Sequence, residues 1–176
     1  MVERLKDRDK TEKLLGVAVL GASGSVGMQA LDVIGALPDR FSLIAVSVGS
    51  DAKALRAICE NYKPPYAAIA QTENLDLGWW KGKDSPQLIT GHNANELLCG
   101  LDEVDAVVIA LPGMQAIHAL LAAADKGKQI AIAHKECLVC GGDFVRERLC
   151  HSHAGVVPLA REPSSIFQCL RGLSDP

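Results

Sequence analysis

The feature that most constrains this fold is the regular alternation of strand-like and helix-like segments from residue 16 onward. Runs rich in β-branched residues, such as GVAVLG (16–21), FSLIAVS (41–47) and AVVIAL (106–111), are each followed by a segment with helical periodicity. Neither a low-complexity linker nor an internal repeat interrupts this series. Strands that alternate with helices in this way pair in parallel and are covered by helices on both faces. The pattern therefore predicts an α/β fold built on a doubly wound parallel sheet.

The same periodicities give the expected order of the elements. We predict strands over 16–21, 41–47, 66–70, 88–90, 106–111, 129–133 and 155–159. We predict helices over 25–36, 52–62, 94–99 and 114–126, and a further helix that ends near Cys150. We predict a loop at the stretch WWKGKDSP. Trp79 and Trp80 are expected to buttress this loop rather than to bind bases. Ser164 is the predicted N-cap of a short amphipathic helix that follows the last strand.

Charge and aromatic content exclude one class of function. The chain carries 18 basic and 21 acidic side chains, a net charge of −3, and only 4% aromatic residues. We expect no nucleic-acid partner, because a basic patch and a set of stacking aromatics are both missing from this composition. The N-terminal MVERLKDRDKTEK mixes charges of both signs, unlike a signal peptide, and no apolar run approaches the roughly 18 residues that span a bilayer. We therefore expect no membrane partner, a cytoplasmic protein and six reduced cysteines.

A glycine-rich turn joins the first predicted strand to the first predicted helix. Its sequence is GASGSVG (21–27). Glycine permits the tight turn and lets backbone N–H groups approach a pyrophosphate, while the helix N-terminus favours the bound anion. The spacing is G-x-x-G-x-x-G rather than G-x-G-x-x-G, so a purely structural glycine turn is the alternative. We interpret the segment as a dinucleotide-binding loop.

Five segments of the chain together resemble those of the 1-deoxy-D-xylulose 5-phosphate reductoisomerase family. They are VAVLGASGSVGMQALDVI, PDRFSLIAVSVGS, DAVVIALPG, IAHKECLVCGG and SSIFQCLRG, and they occur in the family's order. The resemblance implies a Rossmann-like NADPH-binding domain and a homodimer. It also implies the family's reaction in non-mevalonate isoprenoid biosynthesis, in which a phosphosugar, 1-deoxy-D-xylulose 5-phosphate, undergoes a metal-assisted rearrangement and is then reduced by NADPH to 2-C-methyl-D-erythritol 4-phosphate.

The resemblance also implies roles for particular residues. The loop over the cofactor phosphates corresponds to Gly21, Ser23, Gly24, Ser25 and Val26. Gly49 corresponds to the turn after the second strand. Lys135 matches a lysine that contacts the substrate, and Glu136 matches a glutamate on the ribose or nicotinamide side of the cofactor.

The closing segment departs from the family pattern at the metal site. The family's P-V-D-S-E-H-S-A-I-F-Q is PLAREPSSIFQ (158–168) in this chain, so Ala160 replaces a metal-binding aspartate. Glu162 is the carboxylate that remains, as the candidate metal ligand and a catalytic candidate. Mg²⁺ and Mn²⁺ need several oxygen ligands in near-octahedral order. The loss of the aspartate and the presence of Arg161 are therefore expected to weaken metal binding severely.

Three further departures fall among the cofactor-binding candidates. Ser50 replaces the family's usual basic residue, Asp51 replaces an asparagine, and His134 replaces the asparagine before Lys135. Loss of the basic residue removes a partner for the 2′-phosphate of NADPH, whereas an acidic residue at the end of the second strand fits a ribose 2′-hydroxyl and would favour NADH. Asp51 is equally suited to cap the following helix, so both interpretations remain open.

Cysteines and histidines near the C-terminus raise two other hypotheses. The ligand types of a zinc site occur at Cys137, Cys140, Cys150, His151 and His153. A helix of 10 residues spans about 15 Å, which separates the first two cysteines from the other three residues, so structural, semi-buried cysteines are the favoured interpretation. A thiolate nucleophile at Cys137 beside His134 is a further alternative, although it lacks a third, orienting group.

These observations predict three regions and leave two functions open. Residues 1–14 are a charged N-terminal segment, 15–158 a dinucleotide-binding Rossmann domain, and 159–176 the truncated start of a catalytic domain. The first function is that of a reductoisomerase family member that is inactive as this chain alone. The second is that of a dinucleotide-binding fragment or degenerate paralogue without isomerase activity.

Overall fold

The computed structural model describes residues 13–71, 80 and 85–171 of the protein. The strands are β1 Leu15–Leu20, β2 Phe41–Val48, β3 Tyr66–Ile69, β4 Gln87–Thr90, β5 Ala106–Ile109, β6 Gln129–Ile132 and β7 Val156–Pro158. The helices are α1 Ser25–Ala36, α2 Ala52–Tyr62, α3 Ala94–Cys99, α4 Gln115–Asp125, α5 Glu136–His151 and α6 Arg161–Leu170. Outside the segment between β3 and β4, strands and helices alternate as the sequence predicts.

The seven described strands form one sheet in the order β4-β3-β2-β1-β5-β6-β7. Every neighbouring pair is parallel. The chain runs from β1 outward to β4 and then returns to the other side of β1 as β5, so the strand order reverses between β1 and β5. The predicted doubly wound α/β fold is confirmed. Open parallel sheets bind ligands beside such a reversal, at the carboxyl ends of the strands.

The core consists of two apolar layers, one on each face of the sheet. Successive residues of β1 point to opposite faces, so Val19 joins one layer and Leu20 the other. The layer of Val19 contains Leu31 of α1 and Leu55 of α2. The layer of Leu20 contains side chains from α3, α4 and α5. Because both faces of the sheet are covered by apolar layers, its carboxyl edge is the place where a site can form.

Trp80 is hydrogen-bonded to the residue that precedes β4. Its Nε1 donates a hydrogen bond to the carbonyl oxygen of Pro86 at 2.9 Å. Its indole packs against the α1–α2 layer of the core, as a buttressing residue would. The other residue of the predicted buttress, Trp79, lies outside the described residues.

α6 begins earlier than the sequence predicts. It starts at Arg161, with Ala160 at the N-cap, so the predicted cap at Ser164 is wrong. Ser164 lies inside the helix, where its Oγ accepts a hydrogen bond from Nε2 of Gln168 at 3.2 Å. The helix can include Pro163 because this residue occupies the first turn, where a missing N–H costs no intrahelical hydrogen bond.

α6 packs beside β7 but buries none of its own residues. Its apolar side chains Ile166 and Leu170 are 61% and 56% exposed. As for membranes, no helix within the described ranges combines the length and hydropathy needed to span a bilayer.

Candidate functional site

The predicted site residues lie at the carboxyl edge of the sheet. The loop 21–27 follows β1, residues 49–51 follow β2, and residues 134–136 follow β6. Since β1, β2 and β6 belong to one parallel sheet, these three segments emerge at the same edge. Glu162, in the first turn of α6, follows β7 at this edge as well.

The glycine loop is fixed to β2 by backbone hydrogen bonds. The N–H groups of Gly21 and Ala22 both donate to the carbonyl oxygen of Ser47, at 3.0 and 2.7 Å. The Gly21 N–H also lies 3.3 Å from Oγ of Ser47, a buried residue. Within the loop, the N–H of Gly24 donates to the carbonyl oxygen of Gly21 at 3.0 Å. These bonds hold the loop in one conformation.

The three glycines of this loop have different roles. Gly21 adopts a φ of +79°, and a Cβ there would lie 2.6 Å from the carbonyl oxygen of Ala110. A Cβ on Gly27 would lie 2.3 Å from the carbonyl oxygen of Gly21. At Gly24 the nearest atom would be 3.3 Å away, and this residue is exposed. The first and third glycines are therefore required for folding, whereas the second leaves an outward surface of the loop bare.

The N-terminus of α1 opens onto this bare surface. Gly24 is its N-cap and provides no side-chain hydrogen bond, and the first turn contains no acidic residue. The first N–H groups of a helix have no intrahelical acceptor, here those of Ser25 and Val26. Together with the helix dipole they attract an anion such as a pyrophosphate. Ser23 is exposed next to them.

The turn after β2 provides an exposed carboxylate. Gly49 and Ser50 are exposed, and Asp51 is the N-cap of α2. Oδ1 of Asp51 accepts a hydrogen bond from the N–H of Ala54 at 2.9 Å. The helix-capping interpretation of Asp51 is thus observed. It engages one oxygen of the carboxylate and does not exclude a ribose contact by the other.

The turn between β6 and α5 brings two pairs of site candidates together. Nζ of Lys135, the N-cap residue of α5, lies 3.7 Å from Oε2 of Glu162. Nδ1 of His134 lies 4.0 Å from Oε2 of Glu136. The side chains of Lys135 and Glu162 are 51% and 75% exposed, so their ion pair contributes little stability. Their proximity results from the adjacent positions of β6 and β7 in the sheet.

The residues around Glu162 do not fit a divalent cation. Within the described ranges, no three histidine, cysteine or acidic side chains lie close enough to hold a metal ion. The Glu162 carboxylate instead faces the ammonium group of Lys135. Mg²⁺ demands near-octahedral coordination by oxygen, and this donor set supplies one carboxylate.

The zinc hypothesis fails on the same observation. Cys137 is buried, whereas Cys140 and Cys150 are exposed, and the described cysteines and histidines form no cluster.

The thiolate hypothesis is also unsupported. Sγ of Cys137 donates a hydrogen bond to the carbonyl oxygen of His134 at 3.0 Å, and burial raises the pKa of this thiol. Cys137 therefore packs as a protonated core residue.

Burial raises the pKa of two other thiols more strongly. Desolvation, with a smaller effect of Glu60, raises the pKa of Cys59 from 9.0 to about 11. Desolvation, with a smaller effect of Glu96, raises the pKa of Cys99 from 9.0 to about 12. Because the folded-state pKa is the higher one, these thiols favour folding below pH 9.0, and their contribution is lost as the pH rises toward those values.

Alkylation is expected to divide the cysteines into two groups. Iodoacetamide reacts with thiolates, so at about pH 8 the exposed thiols should react first. These are Cys140, Cys150 and Cys169, whereas the protected thiols are Cys59, Cys99 and Cys137. Peptide mass spectrometry measures the order of modification, and the chain unfolded in urea, in which all should react, is the control. Early modification of Cys137 in the folded chain would contradict its assignment as a core residue.

Sequence reasoning missed two contributors to this edge. Ser47 orients the glycine loop, and the β5 loop, residues 110–113, lies across the strand reversal from it. The N–H of Ala110 donates to the carbonyl oxygen of Leu20 at 2.9 Å, and Gly113 has a φ of +60°. The glycine in the sequence ALPG could have indicated the β5 loop. The role of Ser47 depends on strand pairing and has no local signal.

Comparison with known proteins identifies the family. The family model of 1-deoxy-D-xylulose 5-phosphate reductoisomerase matches residues 17–142, which is most of the chain. The chain belongs to this family. A reductoisomerase of Xanthomonas campestris pv. campestris (strain B100) is 38% identical over 158 residues, which cover 88% of this chain and 40% of that protein. One of Pelotomaculum thermopropionicum is 34% identical over 158 residues, with 89% and 41% covered.

Solved reductoisomerase structures agree with the sequence comparisons. A structure of the enzyme in complex with magnesium has a TM-score of 0.82 and 30% identity, with 89% of this chain and 40% of that chain covered. The Zymomonas mobilis enzyme in complex with NADPH has a TM-score of 0.79 and 29% identity, with 89% and 42% covered. The chain thus spans about 40% of the length of the reductoisomerases that it matches.

Proposed function

We propose that this chain binds a nicotinamide dinucleotide as the cofactor-binding part of a 1-deoxy-D-xylulose 5-phosphate reductoisomerase. The observation that carries the proposal is the bare N-terminus of α1 at Gly24, at the carboxyl edge of the sheet. Its outward N–H groups suit the pyrophosphate of the cofactor. A solved family member contains NADPH, and its likeness to this chain covers 89% of the chain. A purely structural turn would not need the open surface at Gly24.

Each segment at the carboxyl edge has a role in this proposal. The pyrophosphate lies on the loop that contains Gly21, Ser23, Gly24, Ser25 and Val26. The adenosine ribose lies beside Gly49, Ser50 and Asp51. His134 and Glu136 contact the nicotinamide half, and the bound cofactor supplies a hydride. The corresponding domain is 15–158, preceded by the charged segment 1–14 and followed by 159–176 as the beginning of a catalytic domain.

Lys135 is the proposed substrate contact. Its ammonium group is half exposed at the end of β6, beside the segment assigned to the nicotinamide. A positive charge there stabilises negative charge that develops on a carbonyl oxygen during reduction. The Glu162 carboxylate lies 3.7 Å from this ammonium group. The substrate assigned by the family is 1-deoxy-D-xylulose 5-phosphate, a phosphosugar, and we place the protein in the cytoplasm as a homodimer.

A second candidate function is cofactor binding without isomerase chemistry. It is favoured by the donor set at Glu162, which does not fit the Mg²⁺ or Mn²⁺ that assists the rearrangement. We therefore assign no step of this chain to a metal ion. For the chain by itself, the proposed activity is dinucleotide binding at the glycine loop.

Titration with NADPH and NADH tests the proposed function. In the absence of divalent cations, calorimetry is expected to give saturable binding of one nucleotide per chain, because the loop needs no metal to present its N–H groups. ADP-ribose, which lacks the nicotinamide but keeps the pyrophosphate, is expected to compete. Binding of neither nucleotide would overturn the proposal, and binding unaffected by ADP-ribose would place the nucleotide elsewhere.

A further inference from the structure

We infer that Asp51 selects against a phosphate on the adenosine ribose, so that this chain prefers NAD(H) to NADP(H). The inference rests on the proposed dinucleotide-binding function and specifies which cofactor the site takes. In a Rossmann fold the residues after the second strand face the 2′-position of that ribose. In this chain those residues are Gly49, Ser50 and Asp51.

The Asp51 carboxylate is held in place at the end of β2. Its Oδ1 accepts the Ala54 N–H at 2.9 Å, which ties the side chain to the first turn of α2. Its remaining oxygen has no other hydrogen bond or ion pair within the described ranges, and the residue is exposed. A free carboxylate oxygen can accept a hydrogen bond from a ribose 2′-hydroxyl. Against a 2′-phosphate it can offer only repulsion between like charges.

The N-terminus of α2 does not compensate for this charge. Two of its N–H groups are already engaged, because that of Ala52 donates to the carbonyl oxygen of Ser50 at 3.1 Å and that of Ala54 donates to Asp51. The carboxylate also neutralises the positive end of the helix dipole. A 2′-phosphate therefore meets fewer free N–H groups at α2 than a pyrophosphate meets at α1.

Among the described residues, Ser50 and two basic residues of α2, Lys53 and Arg56, are considered as partners for a 2′-phosphate. Ser50 provides a hydroxyl group and no charge. Arg56 on α2 is engaged with Glu60, with Nε at 2.7 Å from Oε1. Lys53, two residues after Asp51, is exposed, and its one flexible ammonium group offsets at most the carboxylate itself. The local balance of charge thus disfavours a dianionic phosphate.

Calorimetric titration of the full chain with NADH and NADPH tests the inference. We expect NADH to bind about fivefold to tenfold more tightly, which corresponds to about 1 to 1.4 kcal/mol. Asp51→Asn keeps an acceptor for the Ala54 N–H but removes the charge, so the ratio of the two affinities is expected to approach one. Asp39→Asn removes the same charge at the opposite end of β2 and is expected to leave the ratio unchanged.

Two additional variants make the test independent of folding defects. If Asp51→Asn lowers the melting temperature, Asp51→Ser replaces it, since serine is also a good N-cap. Ser50→Arg adds a partner for the 2′-phosphate and is expected to strengthen NADPH binding by about tenfold. NADPH binding tighter than NADH in the unaltered chain, with a ratio that Asp51→Asn does not move, would overturn the inference while the proposed function stands. Binding of neither nucleotide would overturn both.

Discussion

Gly24→Val is expected to abolish dinucleotide binding while the sheet stays folded. A Cβ at this position would meet no described atom closer than 3.3 Å, and the φ of −78° and ψ of 166° suit a β-branched residue. The two γ-methyl groups would occupy the space through which a pyrophosphate approaches the N–H groups of α1. We expect an affinity loss of at least about a hundredfold, or about 2.8 kcal/mol, in calorimetric titration.

Gly27→Val is the matched control for this variant. A Cβ at Gly27 would lie 2.7 Å from the Cα of Ala22, a backbone atom that cannot yield without moving the loop. We expect a loss of about 2 kcal/mol or more in the free energy of unfolding, measured by circular dichroism. If Gly24→Val unfolds the chain as Gly27→Val does, or if it keeps full nucleotide affinity, the assignment of Gly24 as the open position is wrong.

The chain by itself is expected not to oxidise NADPH in the presence of 1-deoxy-D-xylulose 5-phosphate and Mn²⁺. Reduction follows a rearrangement that needs a metal ion, and the described residues supply Glu162 without further acidic ligands. Metal assistance stabilises charge in the transition state by several kcal/mol. Nicotinamide absorbance at high protein concentration measures the rate, which should equal that of a mixture without substrate.

A metal-binding measurement makes this prediction sharper. Ala160→Asp combined with Arg161→Ser places a second carboxylate two residues before Glu162 and removes a nearby positive charge. Titration with Mn²⁺, followed by electron paramagnetic resonance, is expected to detect weak binding in this variant and none in the unaltered chain. Substrate-dependent NADPH oxidation by the unaltered chain would refute the expectation, because Lys135 and Glu162 alone do not account for it.

The sheet was predictable because its signals are local. Each buried strand is a short apolar run, and each helix has its own periodicity, so the alternation of the two predicts a parallel sheet. The start of α6 was not predictable in the same way. Its N-cap, Ala160, carries no capping side chain, and Pro163 is accommodated in the first turn.

The site was predictable in part, for a related reason. The glycine loop combines a strand, a turn and a helix within one segment, so its position follows from the sequence. The hydrogen bonds between Ser47 and Gly21 and the approach of Lys135 to Glu162 depend on which strands are neighbours. No single segment contains that information. Asp51 is intermediate, since the same residue type serves a cap and a ribose contact.

The attachment of the glycine loop to Ser47 determines the distance between two parts of the proposed site. The Ser47 carbonyl group accepts two hydrogen bonds from the loop, and Asp51 follows four residues later in the same chain. The distance between the turn proposed to bind the pyrophosphate and the carboxylate proposed to face the ribose is therefore set by a short stretch of backbone. This spacing is preorganised before any nucleotide binds, so no binding energy is needed to bring the two groups into position.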